Sequence, residues 1–238
     1  MKWRLPCVLL LLLSACQQAY PGAGTHQTQV RTVNPFNTLN LNHGAGLIYT
    51  ENNRASLYDV QVTTDYNLFG LLSTQVQDQR LEIRWTQPVQ PTLFRVTVEG
   101  PTLQAFELTS KSQAQINRLA GQRQLRFALA GQSQLTADAV ESDQISVSLS
   151  NASLLTFSEG RTSVLQIQAL SGASRLQAEN LTAGQVEASL TGPGSQARVH
   201  ATRTLVVTLR DGATLYYRGT PQIEVREMTG NARLQPLD

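Results

Sequence analysis

The sequence predicts an all-β protein, with a parallel β-solenoid of about 20-residue coils in its C-terminal half and an N-terminal β-strand region continuing into it. Three observations carry this prediction. Apolar and polar residues alternate in short runs, the period of a strand with one buried face, and long helical patterns are absent. Aromatic residues are only 6% of the chain, so the core layers are small and aliphatic. From residue 125 onward, similar segments recur at nearly constant spacing.

The chain opens with Lys2 and Arg4, an apolar run from Leu5 to Leu13 broken only by Pro6 and Cys7, and then the small residues Ser14 and Ala15. A charged start, a short apolar segment and small residues make a secretory signal. The run is about half the roughly 20 residues a spanning helix needs. Leu13-Ser14-Ala15-Cys16 resembles the bacterial lipobox. That resemblance implies removal of residues 1–15, diacylglycerol on the Cys16 thiol and three acyl chains, palmitate included, on a membrane lipoprotein. Stable anchoring takes more than one chain. Gln17 in place of Asp favours the outer membrane by the same resemblance. Residues 17–29, QQAYPGAGTHQTQ, read as a flexible tether, so 16–29 is a lipidated link to a domain spanning 30–238.

Removing Lys2 and Arg4 from the 19 basic residues leaves 17 against 17 acidic ones. An exported domain without net charge argues against nucleic-acid binding, which wants a basic face. With Cys7 removed and Cys16 acylated, no disulfide forms, and burial alone must hold the fold.

Between residues 30 and 100, Phe36, Leu39 and Leu41, then GAGLIYT, SLYDVQVTTD, RLEIRW and LFRVTVEGP, alternate as strands of one sheet. Six aligned segments then begin at Leu125, Ile145, Leu165, Val186, Leu205 and Ile223, spaced by 20, 20, 21, 19 and 18 residues. Each is strand, small-residue turn, strand, the turns reading AGQS, SNAS, SGAS, TGPGS, RDGA and TGNA. So short a unit cannot bury its own apolar side, and stacking removes that side from water at roughly 25 cal/mol per Å². Those six starting residues form one predicted ladder, with Leu135, Leu155, Leu176 and Leu215 forming another. The alternative is a β-sandwich whose turns are evenly spaced.

The order of these segments resembles a known family. RTVNPFNTLNLNHGAGLIYT, DVQVTTDYNLFGLL and FRVTVEGPTLQAFELTSKSQAQI are similar to the opening of the "putative auto-transporter adhesin, head GIN domain" family. LRDGATLYYRGTPQIEVREMTGNARLQ, with Gly212, Tyr216, Gly219 and Pro221 in order, is similar to its end. The resemblance implies a right-handed parallel β-helix of the bacterial cell envelope. The sequence departs from the family in its turns, where Asn151, Ala152 and Ser153 stand in place of Gly-Ser-Gly.

Residues suited to chemistry are sparse. His26, His43 and His200 are scattered and read as surface histidines, without a spaced metal pair. Asp138, Glu141 and Asp143 form a dense acidic patch whose oxygens are chemically able to take Ca²⁺, though a solvated corner is the simpler reading. Neither G-x-S-x-G nor a P-loop occurs. NAS (151–153) and NLT (180–182) match a glycosylation pattern that a bacterial lipobox makes incidental. Tyr216 and Arg218 share one strand face and are candidate ligand contacts for a sugar ring or phosphate. Alternatively, Tyr217 fills the last core layer while the pair shields an edge. The expectation is a non-enzymatic, outer-membrane-anchored binding, adhesin-like or structural solenoid with no cofactor or metal, meeting an envelope glycan or a protein. A polysaccharide-active β-helix lyase or hydrolase is the second reading.

Overall fold

The computed structural model describes residues 18–53 and 56–237, so the predicted signal segment and Cys16 lie outside the described residues. The strands are β1 (Tyr20–Pro21), β2 (His26–Val33), β3 (Thr38–Leu41), β4 (Gly46–Glu51) and β5 (Tyr58–Asp65). A 3-10 helix, η1 (Tyr66–Leu71), precedes β6 (Leu72–Gln77), β7 (Arg80–Trp85), β8 (Val89–Gln90), β9 (Phe94–Gly100) and β10 (Ala105–Leu108). The long strands β11 (Gln113–Leu129), β12 (Gln134–Leu149), β13 (Leu154–Leu170), β14 (Arg175–Thr191) and β15 (Gln196–Arg210) follow. The chain closes with β16 (Thr214–Arg218), β17 (Gln222–Met228) and β18 (Arg233–Pro236).

β11 to β15 stack in parallel, each strand bending midway so that its halves lie in two facing sheets. The first sheet runs β2-β5-β9-β4, then the first halves of β11 to β15, then β16 and β18. The second runs β6-β7-β3-β10, then the second halves, then β17. This is a parallel β-solenoid, and both predicted ladders exist. Leu125, Ile145, Leu165, Val186, Leu205 and Ile223 pair in register. Leu135, Leu155, Leu176 and Leu215 do likewise, with Ala197 filling the gap. The core between the sheets begins aromatic, Tyr49 against Phe106 at 5.3 Å and Phe127 against Phe157 at 5.4 Å, and then becomes aliphatic.

Each coil has two corners. At the first, four-residue turns place their two middle residues in the left-handed region, as in type I′ turns. Asn151 (φ 55°) and Ala152 (φ 59°) adopt it without glycine, so the turns stay regular where the sequence departs from the family. The residue after the pair is small and buried at Ala45, Ser112, Ser133, Ser153, Ser174 and Ala213, and half-buried at Ala232. The first three of these serine hydroxyls donate back across their turns to Thr109, Ala130 and Ser150 carbonyls at 2.7–2.8 Å. At the second corner the strand bends; β11 slips register against β12 there, between Leu119 and Gln122, whereas β12 and β13 stay in register from Val140–Gly160 to Gln144–Val164. Gly160 there has φ 155°, and a Cβ would approach the Val140 carbonyl oxygen to 2.3 Å.

Three details differ from the sequence reading. The segment expected to be a flexible tether is fastened: β1 pairs with β8, and β2 begins at His26 as an antiparallel partner of β5. The solenoid starts before residue 125, because Leu39, Phe106 and Phe127 already stand in one ladder. The repeating strand is one bent element of 15–17 residues, since backbone pairing continues through the second corner.

Candidate functional site

The second corner and the sheet beside it form the site. Gln122, Ser142 and Thr162 occupy equivalent places on β11, β12 and β13, and all three are buried. The Ser142 hydroxyl lies 3.1 Å from the Gln122 carbonyl and 3.0 Å from that of Gln144. The Thr162 hydroxyl likewise meets the carbonyls of Asp143 and Val164, at 3.2 and 3.0 Å. These bonds satisfy backbone carbonyls at the bend. The side-chain amide nitrogen of Gln122 is buried without a partner.

Against this corner lies a cleft of about 760 Å³, lined chiefly by Gln104, Gln122, Gln124, Gln144, Gln166 and Gln168 with Ser146, Arg123 and Arg126. Strand register builds it. Arg126, Ser146 and Gln166 are consecutive rungs of one ladder, and Gln124 and Gln144 are rungs of the next. The Gln144 amide donates to Gln166 at 3.4 Å. Neither a carboxylate nor a histidine lines this cleft. Beyond its rim, burial pushes the Glu107 carboxyl up, but Arg80, Asn40 and the field of Arg126 outweigh it and hold the group below the usual carboxylate range. Arg80 grips Glu107 with two nitrogens, leaving Arg123 and Arg126 as the guanidinium groups of the cleft.

A smaller cleft of about 300 Å³ crosses the corner and carries Glu141, Asp143 and Arg161. The predicted acidic patch is divided there. Glu141 accepts from Arg161, while Asp138 accepts from Gln115 at 2.9 Å and contacts Ser158 at 3.4 Å. Among the described residues, no three His, Cys, Asp or Glu side chains converge as a metal site.

His26 meets Thr92 at 2.8 Å, His43 sits in a left-handed turn, and His200 lies 3.5 Å from Thr182 on the exposed surface. Tyr216 is half-buried beneath the Arg198 guanidinium, 5.7 Å from its ring centre, and Arg218 is exposed in register with His200. Tyr217 packs against the core, and neither Tyr216 nor Arg218 lines the large cleft. The glutamine cleft was missed in the sequence reading. Its signal is the recurrence of Gln, Ser or Arg at the outward positions flanking each ladder residue: Gln124 and Arg126, Gln144 and Ser146, then Gln166.

The family model described as "Putative auto-transporter adhesin, head GIN domain" matches residues 35–221. The chain belongs to this family. Its fold recurs in a crystal structure of "a putative adhesin" from Bacteroides fragilis, with TM-score 0.83 at 20% identity, covering 92% of this chain and 100% of that one. A "putative lipid binding protein" from Parabacteroides distasonis aligns with TM-score 0.75 at 17% identity, over 93% of this chain and 100% of that one. A "putative adhesin" from Parabacteroides merdae gives 0.74 at 17%, over 92% and 99%. At these identities the likeness of this head GIN chain to them is one of fold alone. No curated protein matches the sequence.

Proposed function

We propose that this head GIN protein is a non-enzymatic binding module of the bacterial envelope, tethered by acyl chains on Cys16 to the outer membrane, and that its glutamine cleft holds an acidic glycan. The single observation carrying this reading is the lining of the cleft: amides, hydroxyls and two arginines, with no carboxylate or histidine. A carboxamide donates and accepts side by side, matching neighbouring sugar hydroxyls. Guanidinium groups match a sugar carboxylate in geometry and charge. General acid–base cleavage of a glycosidic bond calls for a positioned pair of carboxyl groups, which this lining does not offer. The adhesin descriptions attached to similar structures accord with a binding role.

Titration with polygalacturonate and with neutral dextran tests it. The expected outcome is binding of the acidic polymer only, weakened about tenfold or more by Arg126→Gln with Arg123→Gln. Polymer length should be unchanged after prolonged incubation. Equal affinity for dextran would end the acidic-glycan reading. Reproducible chain cleavage would establish the polysaccharide-active alternative instead.

A further inference from the structure

The outer face of the first sheet carries a second recess. One outward ladder there runs Arg95, Gly46, Gln113 and Gln134, and the later coils continue it with Leu154, Arg175, Gln196 and Thr214. Gly46 is the one rung of this row without a side chain. With strands about 4.8 Å apart, that bare rung leaves about 10 Å between the strands carrying Arg95 and Gln113. The gap opens into a cleft of about 260 Å³, whose walls include Ile48, Gln115 and Gln134.

The backbone does not ask for glycine at this place. Gly46 lies outside the left-handed region, and β4 keeps unbroken register with β9 on one side and β11 on the other. A Cβ would meet only the Phe94 carbonyl oxygen, at 3.8 Å, an ordinary contact. A glycine inside a sheet costs backbone entropy and packs nothing. Where neither bend nor bulge explains it, it marks a close approach by another group. The space left at Gly46 is the cleft itself.

The walls have the chemistry of a sugar site. Arg95 is exposed, and its guanidinium has no ion-pair or hydrogen-bond partner among the described residues. Gln115 gives an amide hydrogen to Asp138 at 2.9 Å, which leaves its carbonyl oxygen free to accept. Ile48 stands beside them with 40% of its surface exposed, an apolar face among amides. Neither a carboxylate nor a histidine lines this cleft.

We propose that the Gly46 cleft is a second glycan site. It takes one sugar-acid residue, with the carboxylate on Arg95, the hydroxyls on Gln113, Gln115 and Gln134, and the C–H face of the ring over Ile48. The outer faces of the two sheets point in opposite directions, so this site looks away from the glutamine cleft. It stands on its own lining. Its consequence, that one module bridges two chains of one polymer, rests on the glutamine-cleft reading.

Calorimetric titration of the full chain with trigalacturonate counts the sites. Wild type should bind two equivalents, Gly46→Gln one, Arg123→Gln with Arg126→Gln one, and the three changes together none. Gly46→Gln supplies the side chain that Gln113 carries on the next coil, and Gly46→Ala should melt no lower than wild type. Where Gly46→Gln unfolds, Arg95→Gln weakens the same site about tenfold or more from an exposed position. Two equivalents retained by Gly46→Gln or by Arg95→Gln at wild-type affinity would overturn the second site. So would Gly46→Ala melting well below wild type, since the backbone would then need the glycine. A single equivalent lost on Arg123→Gln with Arg126→Gln would overturn it and uphold the glutamine cleft. A single equivalent lost only on Gly46→Gln would do the reverse, and no binding by wild type would end both readings.

Discussion

Asp65 has no exposed surface, yet its carboxylate is well satisfied. Gly24 and Thr92 backbone amides donate to it at 2.7 and 2.8 Å, and the Thr92 hydroxyl adds a third bond at 2.8 Å. Burial alone would raise its pKa; the bonds from Thr92 and Gly24, with His26 nearby, outweigh burial and hold it below the ordinary 3.8. A carboxyl held low when folded contributes stability fully above its unfolded value and loses it as pH falls through the lower folded value. Asp65→Asn should therefore lower the melting temperature near neutrality, with the gap from wild type narrowing below about pH 4. A gap independent of pH in thermal melts would remove the ionised carboxylate from this role. Since Gly24 belongs to the predicted tether, this one carboxylate helps convert a loose segment into the first layer of the fold.

Among the elements, the long bent strands carry the stability. Leu149 on β12 is 1% exposed and pairs in register with Leu129 on one side and Leu170 on the other. Leu149→Asp removes the apolar contact and places a carboxylate with no partner between two neighbouring coils. The expected cost is more than about 4 kcal/mol, read as a drop of roughly 10 °C or more in melting temperature. An unchanged melting curve would mean that the coils do not stack through this ladder. The left-handed turns of the first corner are also tied to one another. The Gln132 amide donates to the Asn151 carbonyl at 2.8 Å and the Ala152 amide to Gly172 at 2.7 Å, so each turn is hydrogen-bonded to the next.

At the scale of the molecule, two polar sheets enclose one apolar core, aromatic at its start and aliphatic beyond, and no helix among the described residues is long and apolar enough to cross a membrane. In the proposed function, attachment to the envelope runs through acyl chains on Cys16. Cys16→Ser should move the protein into the detergent-free soluble fraction on cell fractionation. Retention at the wild-type level would reject the anchor.

The strand period, the ladder residues and the coil length were all legible in the sequence. Burial against a neighbour of the same pattern repeats the same apolar residue every coil, so stacking writes itself into the chain as spacing. Only the tertiary structure decided where those coils make a site. Gln124, Gln144 and Gln166 are about 20 residues apart and ordinary as surface glutamines, until parallel pairing sets Gln124 beside Gln144 and brings the Gln144 amide to 3.4 Å from Gln166. It also decided the fate of residues that the pattern treats alike. Ile223 follows Leu205 as one more rung, and Tyr216 precedes Arg218 as an outward pair, but among the described residues no strand pairs beyond Ile223, and Arg198 from the coil before covers Tyr216. Periodicity fixes which side a residue faces; what lies across from it depends on the neighbouring coil, and that neighbour exists only in the assembled fold.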